Sequence, residues 1–400
     1  MRRVSWKILG AFLLWSVACE NGFVDPNGGV ASAKLVVDGL GTVQDRYTAE
    51  VWAVGNIAYT TTWGVRAFNG ITSPGNAIKI WNVAGNTPVL VDSMIVDGAT
   101  TVGDVQVSDD GKLLVVPTEK AQGSIAIYDL TNPLKPHLLS QFRNDDLATG
   151  VHTAAIQRVN GKLYAFLSVD PSPARLVIVD LSNPEAPTQV FSQAMGNPFV
   201  HDVFVRDGIL FVALWNDGVS IFDIGGGGKN GTVSAPVLLG NVLTQGGEAH
   251  NIWWFHDPVS GSKRYAFVGE EATGSIGAAS AGDIHVIDVS NFAAPHEVGF
   301  YSVVGAGTHN FSVDESKGIL YAAYYNAGVR ALDIRGDLGG CATNLKDTFG
   351  RCDLRKMGRE IGHGLTDMGM PVYVWGVHKV GASLFASDMI NGLWKLEALQ

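Results

Sequence analysis

Residues 176–184 read Leu-Val-Ile-Val-Asp-Leu-Ser-Asn-Pro. Four aliphatic residues run into an acid and then into an Asn-Pro pair. That is the pattern of a short strand, covered on both faces and stopped by a turn. Close copies stand at 125–133 (Ile-Ala-Ile-Tyr-Asp-Leu-Thr-Asn-Pro), 220–224 (Ser-Ile-Phe-Asp-Ile), 285–291 (His-Val-Ile-Asp-Val-Ser-Asn) and 330–334 (Arg-Ala-Leu-Asp-Ile). Weaker copies are Lys-Ile-Trp-Asn-Val at 79–83 and Trp-Lys-Leu-Glu-Ala at 394–398. The repeated position is therefore Asn82, Asp129, Asp180, Asp223, Asp288, Asp333 and Glu397. Its mean spacing of about 52 residues is the period of a propeller blade.

Each copy follows a hairpin signal: Gly55-Asn56, Asp110-Gly111, Asn160-Gly161, Asp207-Gly208, the longer Asp257 to Lys263, Ser316 to Gly318, and Gly381-Ala382. Several of these pairs supply the positive φ of tight hairpin turns. Another strand pattern follows each copy, such as residues 294–303. The unit is thus four antiparallel strands, repeated seven times. The seventh unit stops after its third strand, while a spare strand-like segment, Lys34 to Asp38, precedes the first unit. The expected fold is all-β: a seven-bladed β-propeller of four-stranded antiparallel blades, its ring closed by that N-terminal strand. Composition agrees, with 49 glycines in 400 residues and 16% charged residues, which suits many strands and tight turns and excludes disorder or a long coiled coil.

With Leu176 to Asp180 spelling LVIVD, the pattern resembles the LVIVD-repeat family of bacterial and archaeal surface proteins. The resemblance covers most of residues 34–400. It implies a β-propeller at the cell surface and brings no established reaction. Asn82 and Glu397 depart from the repeat's Asp.

The N-terminus reads as an export signal. Arg2, Arg3 and Lys7 precede an apolar run, Ile8 to Ala18, that is too short to span a bilayer. Small residues then lead into Cys19, as in a lipoprotein signal. The expectation is a signal peptide over 1–18, lipid on Cys19, a flexible tether over 19–33 and one propeller domain over 34–400, anchored to a membrane and facing the periplasm or cell surface. The remaining cysteines, Cys341 and Cys352, flank a short segment and read as a structural disulfide in an exported chain. The net charge of −10 opposes binding to nucleic acid.

Four units open with histidine at one register: His152, His201, His250 and His309. First strands line a propeller's axis, so these residues should gather at one channel mouth. One reading is a divalent metal site, since imidazole suits zinc, copper or iron. The other is structural, a repeated histidine tying blade to loop. Second strands end on the same face in Glu119, Asp170, Asp217, Glu270 with Glu271, Asn326 and Asp388. Asp202, Asn251 and Asn310 follow three of the histidines. One reading of these is an acidic, histidine-bearing funnel suited to a divalent cation or a cationic ligand; the other is a set of polar, solvated loop ends. Two long connections, Trp63 to Asn76 and Ala272 to Gly282, should rise over the same face. The insertion from Arg335 to Arg355 should lie on the opposite face.

The tract Gly225 to Lys229 mimics a phosphate loop, but Asn230 replaces the required Ser or Thr, so it reads as a turn. No nucleophile elbow, zincin motif, dinucleotide fingerprint or EF-hand loop is present. The leading expectation is a monomeric, non-enzymatic binding module whose ligand is a protein, glycan or small molecule. The alternative is a metal-dependent hydrolase, lactonase or oxidase built on the four histidines.

Overall fold

The computed structural model describes residues 32–120, 122–170, 172–272 and 274–400. The expected leader over 1–18, Cys19 and most of the tether lie outside them. Seven antiparallel sheets follow one another along the chain and form the ring. Their innermost strands are Tyr47–Val54, Gln106–Val107, Thr153–Val159, Asp202–Arg206, Ala249–Trp254, Phe311–Asp314 and Val374–Val380. Among the described residues, helix is confined to two 3₁₀ turns, Asp145–Leu147 and Thr343–Leu345. None of their helices is long and apolar enough to cross a membrane.

The LVIVD stretch shows why the repeat is apolar throughout. It forms the third strand of blade three, Arg175–Asp180. Leu176 and Ile178 pack toward blade four, among Val203, Val205, Leu210 and Val212. Val177 and Val179 pack toward blade two, among Val115, Ile125 and Ile127. All four are fully buried (0% exposed). A strand with a blade on each face has no polar side to alternate with. Each such side chain contributes roughly 1.5–3 kcal/mol of burial.

The ring closes between the chain ends. Val37–Thr42 pairs antiparallel with Gly392–Glu397 as the outer strand of blade seven, from Val37 opposite Leu396 to Thr42 opposite Gly392. The closing strand therefore starts three residues later than Lys34. Ala33–Lys34 instead runs parallel to the outer strand of blade six, Glu360–Gly364. Ser32 Oγ meets His363 Nδ1 at 2.7 Å. The end of the expected tether is thus held against the ring by a backbone ladder.

The connection after Trp63 is itself a hairpin, Val65–Phe68 with Ile71–Pro74. Its Arg66 donates to the carbonyl oxygens of Ile390 at 2.9 Å and Arg46 at 3.2 Å. Trp63, together with Ile276 from the Ala272–Gly282 connection, packs against Tyr325, Tyr373, Trp375 and Met389. The insertion in unit six carries the Cys341–Cys352 disulfide. It does not simply cover the opposite face: Cys352–Asp353 runs parallel to the outer strand of blade five, with Cys352 opposite Gly299.

Candidate functional site

Each inner strand delivers one residue per blade to the mouth at a common register: Ala49, Gly103, His152, His201, His250, His309 and Trp375. The next residue, one step along an extended chain, turns into the channel: Glu50, Asp104, Thr153, Asp202, Asn251, Asn310 and Gly376. All of the second ring except Gly376 lines a cavity of about 350 Å³, and none of the four histidines does. The expected single funnel is therefore two compartments.

In the upper compartment the imidazoles pack in a row around the mouth, tilted or edge-on to one another. Ring centroids are 4.3 Å apart for His152 and His201, 4.4 Å for His201 and His250, and 4.2 Å for His250 and His309. Trp375 continues the row 4.1 Å from His309. Trp215 covers His201 at 4.9 Å and Tyr325 covers His309 at 5.3 Å. Both of these aromatic residues hold positive φ, +55° and +39°. A left-handed backbone at a bulky residue costs about 1–3 kcal/mol and concentrates at functional sites.

Glu271 enters from the end of blade five's second strand. Its carboxylate lies 3.5 Å from His250 Nε2, 3.6 Å from His201 Nε2 and 4.0 Å from His309 Nε2. Tyr325 Oη donates to it. His250 Nε2 and His309 Nε2 are 3.1 Å apart. His309 Nδ1 is 2.7 Å from the Trp375 carbonyl and donates to it. Burial pulls His201 and His309 well below the usual imidazole range, helped by the other imidazoles, and brings His250 down to about 3. Burial also pushes Glu271 up to about 7. His152 differs. Burial opposes its charge, but Glu119 at 2.9 Å and Asp170 at 3.9 Å overcome that and carry it up to about 10. His152 is thus an imidazolium held by two acids, while the other three are neutral donors.

The lower compartment has a polar floor and aromatic walls. Glu50 Oε1 accepts from Val51 N at 2.8 Å, and Asn310 Nδ2 donates to Oε2. Asp104 accepts from Val105 N at 2.7 Å and Ala154 N at 2.9 Å. Asp202 accepts from Val203 N at 2.7 Å. Burial, then repulsion from Asp104, lifts Glu50 to about 8 and Asp202 to about 7; burial lifts Asp104 as well. Trp52, Phe204, Trp253 and His378 form the walls, with Gln106, Gln157 and Lys379 further along. Lys379 is committed to Asp314 at 2.6 Å. At the seventh position Gly376 leaves room for Glu50, whose Oε1 would lie 2.1 Å from an added Cβ.

The expected funnel residues thus separate. Glu271 joins the histidines, and Glu119 and Asp170 hold His152. Asp202, Asn251 and Asn310 face the cavity instead of the mouth. Three others leave the site. Asp217 is exposed at a turn. Glu270 Oε2 faces His285 at 3.4 Å, inside blade five. Asp388 is fully buried and accepts from Tyr373 N, Ile390 N, Asn391 Nδ2 and Trp394 Nε1, which fixes a turn of blade seven. Each second strand ends in its own turn geometry, so equal sequence position does not give equal direction. Glu50, Asp104 and Tyr325 are additions that the sequence reading lacked. The first two were discoverable, because Ala49-Glu50-Val51 and Gly103-Asp104-Val105 align with His201-Asp202-Val203. Tyr325 carries no such signal.

The LVIVD repeat model matches residues 164–194, 199–244 and 278–303. These stretches cover the second to fourth strands of blade three, all of blade four, and the last two strands of blade five. The chain carries LVIVD repeats. No curated protein matches it. Of the four histidines, only His201 falls within a matched LVIVD stretch.

Proposed function

We propose that this LVIVD-repeat propeller is an exported, lipid-anchored binding module whose central channel takes a compact organic cation, an amine or a quaternary ammonium. One observation carries the reading. Three carboxyl groups from three blades, Glu50, Asp104 and Asp202, share the floor of an aromatic-walled cavity, and among the described residues none of them is ion-paired to lysine or arginine. Uncompensated acids call for positive charge, and tryptophan faces favour the same charge. A volume of about 350 Å³ suits a small ligand. The basic and apolar stretch before Cys19 supports export and anchoring, which fatty-acid labelling that a Cys19→Ser variant abolishes would establish.

The test is calorimetric titration of the full-length protein with choline and putrescine, with glucose as a neutral control. Saturable binding of the cations is expected, about tenfold weaker in Asp202→Asn, the equivalent of one lost charge contact of about 1.4 kcal/mol. Choline does not titrate near neutrality, so its pH dependence reports the acids. Glu50 near 8 and Asp202 near 7 ionise as pH rises. Choline affinity should therefore rise from pH 6 to pH 8.5 and fall on acidification. Glucose binding without choline binding removes the reading.

A further inference from the structure

The upper compartment has a geometry that its hydrogen bonds do not account for. Four donors held 2.0–2.1 Å from a tetrahedral ion stand about 3.3 Å from one another. The Nε2 atoms of His250 and His309 are 3.1 Å apart. Glu271 stands 3.5 Å from His250 Nε2, 3.6 Å from His201 Nε2 and 4.0 Å from His309 Nε2. The donor atoms of His201, His250 and Glu271 all lie within 4.8 Å of one another. All four residues are at most 5% exposed.

The protons do not satisfy this group. His309 gives its Nδ1 proton to the Trp375 carbonyl, so its neutral ring turns a lone pair toward His250. If His250 answers with Nε2–H, its Nδ1 lone pair is left buried with no partner. If it carries the proton on Nδ1, toward the Asn251 side chain, two Nε2 lone pairs face each other at 3.1 Å. His201 is likewise buried, and the His250 backbone accepts its ring proton. Each tautomer therefore leaves either an unmatched Nδ1 or two opposed Nε2 lone pairs, at a cost of about 1–3 kcal/mol. Among the described residues Glu271 pairs with no lysine or arginine; within 4.0 Å it meets three imidazoles and the Tyr325 hydroxyl. A cation at the centre of the four donors takes the opposed Nε2 lone pairs and the Glu271 carboxylate together, with each ring proton on Nδ1.

We propose that His201, His250, His309 and Glu271 form a transition-metal centre that binds one divalent ion of the zinc type through three Nε2 atoms and one carboxylate. Three imidazoles select such an ion over calcium or magnesium, which take oxygen donors. The Trp375 carbonyl on His309 and the Tyr325 hydroxyl on Glu271 are the outer partners that orient metal ligands. Four protein donors fill a tetrahedral shell, and Trp215, Tyr325 and Trp375 cover it. That is the pattern of a structural ion, one that staples blades four, five and six. His152 stays outside the set. Although His152, Asp170 and His201 also approach within 4.8 Å, its Nδ1 is engaged by Glu119.

The test is titration of chelator-stripped full-length protein with Co²⁺, followed by the visible absorption of tetrahedral cobalt, and then displacement by Zn²⁺. One equivalent per chain is expected. His250→Ala and the isosteric Glu271→Gln should weaken binding at least tenfold, and His152→Ala should change it less than twofold. Melting temperatures with and without Zn²⁺ guard against misfolding: the parent protein should gain stability from the ion, and a folded Glu271→Gln variant should not. The proposal is overturned by the absence of saturable binding at one equivalent. Parent-like binding in both His250→Ala and Glu271→Gln overturns it, as does loss on His152→Ala, which would move the ion to the His152–Asp170–His201 group.

Discussion

Asp223 shows what the repeated acid does. Its Oδ1 accepts from Gly225 N and Gly227 N, both at 2.8 Å, and its Oδ2 from Lys229 N at 2.7 Å and Gly231 N at 3.2 Å. Burial opposes its charge, but these four donors prevail and hold the carboxyl down at about 2. The glycine-rich tract that mimics a phosphate loop is thus a nest for the chain's own carboxylate. Asp180 does the same work with one backbone bond, from Ser182 N at 2.7 Å. Asp223→Ala should therefore cost about 1–3 kcal/mol, and Asp180→Ala less than about 1 kcal/mol. Urea unfolding of the two variants measures the difference, and equal losses would contradict it.

At the scale of the strand, the hydrophobic run is matched by a bulge in the outer strand paired with it, whose extra residue is Leu139, Val190, Leu239 or Val298. The third strand shifts register between Ile178 and Val179 in blade three, Ile127 and Tyr128 in blade two, Ile221 and Phe222 in blade four, and Val286 and Ile287 in blade five. In each case the shift stands just before the residue preceding the repeated acid. A bulge increases local twist, which a blade needs if its inner strand is to follow the axis while its outer strand lies at the rim. The closing strand is under a tighter restraint. A Cβ on Gly41 would lie 2.6 Å from both the Pro88 carbonyl oxygen and the Trp81 ring, across the junction of blades seven and one. Gly41→Val should destabilise the protein by about 1–3 kcal/mol. Gly85→Ala, where nothing lies within 4 Å of the added atom, should leave the melting temperature unchanged within error.

For the molecule as a whole, stability depends on joining residues 37–42 to residues 392–397, the two ends of the described chain. Removing residues 1–42 would bare one edge of Gly392–Glu397 and the adjoining face of blade one. A bare strand edge is a template for pairing with another chain. The truncated protein should therefore self-associate or unfold well below the parent's melting temperature. Size-exclusion chromatography and thermal melts measure this, and a monomeric, parent-like truncation would show that the ring does not need its closure.

The sequence by itself determined the seven units, the strand order within each blade and the closure by an N-terminal strand. These rest on local signals: an apolar run, a turn dipeptide and a repeated acid, each read within a few residues. It also determined which face carries His152, His201, His250 and His309, because strand order places every blade's first residue on the axis. Only the tertiary structure decided that three of them share Glu271 while His152 belongs to Glu119. The same is true of Asp202, which turns away from the mouth to join Glu50 and Asp104. These groupings depend on side-chain direction and on the curvature of the ring, where one step along an extended strand reverses the face. Periodic sequence records position along each blade, and the angle between blades arises only when all seven are packed together.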